Sequence, residues 1–164
     1  MTFSAGTNAP VGYQGIHLTD TVQNHPLGTR LKAKDPIYGE GEFIYLKGVA
    51  ATVIGSWVSY NPDDFSTTLL ANADIGSVAT SMSANVAGSF GWYQIFGKAI
   101  GRALVAFLDN ALVFTTATVG YIDDAVVVGG RVKNAEGASA VGVPSANLAE
   151  FELSYPFVDN GTAA

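Results

Sequence analysis

The chain has no cysteine, which removes disulfide scaffolds, thiolate zinc centres and cysteine nucleophiles at once. Charge is scarce as well: Asp, Glu, Lys and Arg make up 13% of the residues. Soluble proteins average ~25%, so part of this surface is coated with neutral polar groups or covered by other chains. What charge exists favours acids, 14 against 8 basic residues for a net −6. That sign argues against electrostatic binding to nucleic acid or to a membrane surface. Long hydrophobic runs are missing too. The longest, residues 99–108, contains Arg102 and is far short of the ~18–20 residues of a membrane span. The first ten residues hold no basic side chain and no apolar core, so the expectation is a protein without a secretory signal, made and kept in a cytoplasm.

What is present is apolar: hydrophobic residues make up 48% of 164, too many for a disordered chain and enough for one domain, with or without an arm. Residues 1–41 differ in texture from the rest. They hold both histidines, Pro10, Pro26, Pro36 and six glycines, with only scattered apolar residues, among them Phe3, Val11, Tyr13, Ile16 and Leu18. No period of 2 or 3.6 survives there. The segment reads as an extended N-terminal arm with one or two short strands, which must lie on its own domain or on a neighbour.

Residues 42–164 read as a β-rich domain, a compact β-barrel or β-sandwich with at most one or two short helical turns. Short β-branched and aromatic runs alternate with Gly, Asn, Asp and Pro. They place strands at 42–46, 52–60, 67–70, 76–82, 92–104, 111–118 and 150–156, with Asn61-Pro62-Asp63-Asp64 as a turn. In 92–106 the odd positions are Tyr93, Ile95, Gly97, Ala99, Gly101, Ala103 and Val105. That is a period-2 pattern with a small inner face, and a helix would have to carry two glycines at ~1 kcal/mol each. Strand is the better reading, with Gly admitting a neighbouring backbone. A helical turn is expected after Ile122, where Asp123 or Asp124 can cap and Gly129-Gly130 terminates. Residues 134–149, rich in Gly, Ala and Ser, read as a loop.

Few residues suggest chemistry. His17, Asp20 and His25 make a conceivable metal set, but the spacing matches no common ligand pattern, and solvated or interface histidines explain them better. Asp63-Asp64 and Asp123-Asp124 lack the alternate spacing of a calcium loop; turn formation and capping account for both. Gly39-Glu40-Gly41-Glu42 is glycine-rich but has the wrong sign for phosphate. There is no P-loop, no HExxH and no nucleophile elbow. No enzyme, metal or cofactor is implied. Trp57, Tyr60, Trp92, Tyr93 and Phe96 offer stacking surfaces. Without a basic groove they fit carbohydrate better than single-stranded nucleic acid. The competing reading makes Trp57, Trp92 and Tyr93 anchors of the core or of a subunit contact.

Two stretches, 41–99 and 119–160, carry a texture of their own. It consists of Gly55-Ser-Trp57-Val58, then Ser77-Val78-Ala79, then Gly91-Trp-Tyr-Gln-Ile95 followed by Gly97-Lys-Ala99. This pattern resembles tailed-bacteriophage virion proteins, in particular the small capsid decoration, or cement, proteins. The resemblance implies a β-rich homotrimer on the capsid exterior, at local three-fold positions, clamping major capsid protein subunits of the virion after assembly in a bacterial cytoplasm. The apolar arm residues Phe3, Val11, Tyr13, Ile16 and Leu18 would then be capsid contacts, since an exposed arm gains most by burying them. The alternatives are a carbohydrate-binding β-domain on a virion surface, stacking through Trp57, Trp92 or Tyr93, and another head or tail component.

Overall fold

A computed structural model describes residues 13–159. Among them are eleven strands and no helix: β1 (Thr19–Asp20), β2 (Arg30–Asp35), β3 (Gly39–Lys47), β4 (Trp57–Tyr60), β5 (Thr67–Leu69), β6 (Gly76–Ser81), β7 (Phe90–Arg102), β8 (Leu112–Thr115), β9 (Ile122–Asp123), β10 (Arg131–Gly137) and β11 (Leu148–Val158). The chain is mainly β, and its strands form one open antiparallel sheet in the order β2-β3-β7-β6-β11-β10-β8-β9. β4 adds to β6 and carries β5, while β1 pairs with the start of β7.

β7 organises the sheet. Its first half pairs with β3 from Glu42↔Phe96 to Lys47↔Phe90, its second half with β11 from Leu148↔Arg102 to Ser154↔Phe96. β6 also reaches it through Thr80↔Gln94 and Ser81↔Tyr93. Residues 91–95 are buried on both faces, whereas between Phe96 and Val105 only Ala99, Gly101 and Ala103 are buried, at alternate positions. The period-2 pattern is thus real in the second half, though Val105 at its end is exposed. The small inner face has a specific partner. A Cβ placed on Gly101 would lie 2.5 Å from Trp57 Nε1. Trp57 is fully buried beside it, edge-on to Phe151 at 4.9 Å between centroids. That pair anchors the largest core cluster, with Phe107, Val113, Ile122 and Val132.

The described part of the N-terminal segment lies on its own domain. β2 pairs with β3 along its whole length, and Ile16, Leu31 and Ala33 bury into a second cluster with Phe43, Tyr45, Met82 and Trp92. Tyr45 holds this segment down by hydrogen bonding. Its hydroxyl donates to the Asp20 carboxylate at 3.1 Å and accepts from the Asn24 N–H at 3.4 Å. Burial, first, and the Asp20 hydrogen bond push the Tyr45 phenol up to about 12.

Two local expectations are corrected. No helical turn follows Ile122: residues 124–130 form bends and a turn. Asp124 turns its carboxylate to the Leu108 N–H at 3.0 Å across the neighbouring loop, so it caps nothing of its own. The stretch 134–149 is a loop only in part, because β10 runs to Gly137. Its Asn134 adopts φ +60° and shifts the register against β11 between Lys133 and Ala135. The irregularity breaks the alternation by which a strand is recognised.

The Gly101–Trp57 approach yields one expectation: Gly101→Ala overpacks a closed site and should cost ~1–3 kcal/mol, read as a lower urea midpoint at unchanged m-value. Tyr45 yields a second. Its folded-state pKa of about 12 lies above the ordinary 10.0. The stability it contributes is therefore complete below pH 10 and is lost as the pH rises through about 12, because the unfolded chain ionises first. Urea midpoints measured across that window should fall in the wild type and fall less steeply in Tyr45→Phe. Equal slopes would show that the phenol is not held neutral. Some slope remains in either chain, since burial also raises Tyr93 and Tyr38.

Candidate functional site

The residues singled out by sequence are scattered. Phe3 and Val11 lie outside the described residues. Tyr13 packs against the second core cluster, Ile16 is fully buried in it, and Leu18 stands exposed nearby. Ile16 therefore serves its own core and is closed to a capsid contact. Trp57, Trp92 and Tyr93 are all fully buried. They are core anchors, and none can offer a face to a sugar or another subunit. Tyr93 is further fixed by Asn85, whose side-chain amide donates to the Tyr93 hydroxyl at 3.1 Å and to the Leu46 carbonyl at 3.3 Å.

The conceivable metal set is likewise dispersed among other partners. His25 sits in a cage of rings, with centroids 5.2 Å from Tyr13, 5.1 Å from Tyr45 and 5.6 Å from Trp92. His17 contacts the Met82 carbonyl through Nδ1 at 3.2 Å, and Asp20 accepts from Gln14 and Tyr45. Among the described residues no three His, Asp or Glu side chains converge as metal ligands. Asp63-Asp64 closes its turn: the Asp63 N–H donates to Asn61 at 2.9 Å, and Asp64 accepts from the Ser66 N–H and hydroxyl. Those two hydrogen bonds hold the Asp64 carboxyl below its ordinary value.

Two surface features emerge that sequence reading does not isolate. The first is an apolar end. The loop after β7 exposes Val105 (84%) and Leu108 (63%), and the loop after β9 exposes Val126 (65%) and Val128 (72%). The Leu108–Asp124 hydrogen bond ties the two loops together, and the Leu104 N–H donates to the Ile122 carbonyl at 3.0 Å. The Val126-Val127-Val128 run is legible as apolar, but reading it as a helical turn hides its exposure.

The second is a crease across three adjacent strands, marked by left-handed backbone at Gly97 in β7 (φ +96°), Tyr155 in β11 (φ +55°) and Asn134 in β10 (φ +60°). Between Lys133↔Phe157 and Ala135↔Leu153, three residues of β11 oppose Asn134 alone. Gly97 permits close approach, since a Cβ there would lie 2.5 Å from the Glu40 carbonyl oxygen. For Tyr155 the left-handed conformation is a strain that its surroundings must offset. Its hydroxyl donates to Glu42 Oε2 at 2.5 Å, the Arg30 guanidinium lies 5.8 Å from its ring centroid, and Phe96 packs at 5.5 Å. The Glu42 hydrogen bond raises the phenol above its ordinary value.

Two shallow depressions flank this crease and share Phe96 as a wall. One, of about 350 Å³, reaches to β2 and β3; the other, of about 630 Å³, reaches to β10 and β8. Phe96 (41%) and Tyr155 (45%) are both exposed there. Phe96 is among the stacking candidates that the sequence offers. Tyr155 is out of its reach, because only the irregularity opposite Asn134 turns that ring outward.

Compared with protein-family models, with curated proteins and with solved structures, the chain finds no match in any of the three.

Proposed function

We propose that the chain is a non-enzymatic virion structural protein that decorates and stabilises an icosahedral phage capsid. It binds the outer surface of major capsid subunits, as a homotrimer at local three-fold positions. The observation that carries this reading is the apolar end formed by Val105, Leu108, Val126 and Val128. Exposed apolar side chains on two loops tied to each other offer a surface for a protein contact, and the charge-poor composition is in keeping with a surface partly covered by neighbours.

Magnitudes favour a multivalent clamp. Burying each Val or Leu gains about 1.5–3 kcal/mol, so four give on the order of 6–12 kcal/mol. Losing translational and rotational freedom costs roughly 4–15 kcal/mol. A single patch sits near balance, whereas several patches joined in one oligomer gain by effective concentration. A protein that binds the closed shell and not its separated parts stabilises that shell by mass action.

Purified heads heated with and without the protein test the clamp: bound protein should raise the opening temperature, and equal temperatures would refute it. The double variant Leu108→Glu with Val126→Glu should bind heads at least about tenfold more weakly, while its own stability stays within ~0.5 kcal/mol of wild type. Undiminished binding would remove the apolar end from the interface. Light scattering at micromolar concentration should give three times the 17.0 kDa chain mass. A monomer alone would exclude a trimer formed before docking.

A further inference from the structure

We infer that the crease at Gly97, Tyr155 and Asn134 is a binding groove for a neutral oligosaccharide, independent of the apolar end. Three observations lead there. Phe96 and Tyr155 form a tilted pair, 36° between planes, standing exposed at the junction of the two depressions. Aromatic faces of this kind match the apolar C–H face of a pyranose ring. The Tyr155 ring is pinned by Glu42 and Arg30, so little side-chain freedom remains to be lost on binding.

The second observation is the polar lining. Lys32, Lys34, Arg131, Glu40, Glu136 and Glu152 line the depressions, and none of the six side chains has a hydrogen bond or ion pair among the described residues. Glu136 and Glu152 even stand directly opposite each other across β10 and β11, a like-charge pairing that weakens a sheet. Uncommitted donors and acceptors suit hydroxyl groups, each of which can give and take a hydrogen bond.

The third is sign and shape. With Lys98 and Glu42 included, four cations and four carboxylates line the two depressions and cancel, so the groove has no attraction for a polyanion such as nucleic acid. Nor does it suit an extended peptide, which binds by adding to a free sheet edge. The floor strands β3, β7 and β11 each lie between two neighbouring strands of the sheet, so none presents a free edge. Shallow relief, exposed rings and balanced charge together select a neutral sugar chain.

The test is a printed array of neutral and acidic glycans, followed by ¹H–¹⁵N titration with cellohexaose, maltohexaose, chitohexaose and the strongest neutral ligand from the array. The expected result is saturable, salt-insensitive binding of at least one neutral oligosaccharide, with amide shifts centred on Gly97, Lys98, Ser154 and Tyr155. Phe96→Ala should weaken it at least tenfold, and Glu152→Gln, which leaves the rings in place, by a smaller factor. Should Phe96→Ala misfold, Phe96→Leu replaces it. The inference is overturned if no neutral glycan saturates, if shifts fall elsewhere, or if the Phe96 variant binds as well as wild type. Binding confined to acidic glycans and abolished by salt, or to peptides, overturns it equally. Head binding measured on the same variants keeps the two surfaces apart: it should stay unchanged here, and its loss in the Leu108 and Val126 variant bears only on the shell.

Discussion

Everything in this fold depends on how closely β7 can be approached. Its first half must be covered on both faces, and its second half must admit an indole ring against bare backbone. Gly101 provides the latter, leaving room for Trp57 where any side chain would collide. Gly97 does the same on another side, letting the Glu40 carbonyl come near. β3, β6 and β11 can then all pair with one strand. The glycines weaken the strand locally, and the aromatic packing they permit offsets that loss. Trp57 on Phe151 and Phe107 on Phe151 bring three large rings into one contact group.

The β class and the second half of β7 were legible because they rest on alternation, which survives wherever one face is buried and the other wet. Alternation fails in two identifiable places and holds unnoticed in a third. In residues 91–95 both faces are buried, so polar Gln94 looks outward in the sequence while its amide donates inside to the Phe96 and Lys98 carbonyls. In β10 the register slip at Asn134 upsets the phase halfway. In β2 the exposed positions carry Arg30, Lys32 and Lys34 and the buried ones Leu31 and Ala33, a good alternation placed within a segment dominated by Gly and Pro. The candidate sites were less legible than the fold. Large aromatics are the natural suspects for binding, but Trp57, Trp92 and Tyr93 have the most apolar area to bury and the core takes them first. Those left outside, Phe96 and Tyr155, sit where register slips.

The crease and the register slips have a common origin. β7 slips against β3 between Glu42 and Phe43, and β10 slips against β11 between Lys133 and Ala135, while β7 and β11 stay in register. Near these two slips each of the three strands places one residue in left-handed backbone. Glycine and asparagine do so readily; tyrosine does not. Tyr155 therefore stands there against its backbone preference. The Glu42 and Arg30 contacts help hold it, yet a glycine or asparagine would satisfy the bend alone. The excess is a property of the side chain, which points to a use for the exposed ring.

The same contrast separates the two surfaces. At the apolar end four aliphatic side chains stand on loops held by backbone-directed hydrogen bonds, with Asp124 as the tie between them. Such a surface gains by being covered and discriminates little, which suits a broad protein contact. At the crease the exposed groups are rings and charges on paired strands, held to fixed positions by the sheet and electrically balanced. A rigid, neutral, hydrogen-bonding surface gains little from being covered by another apolar face, since burying six unmatched charges costs more than the rings return. The oligosaccharide proposed for it would offer those charges hydroxyl groups, which both give and take hydrogen bonds. A chain that docks by one surface while keeping the other wet would satisfy both requirements.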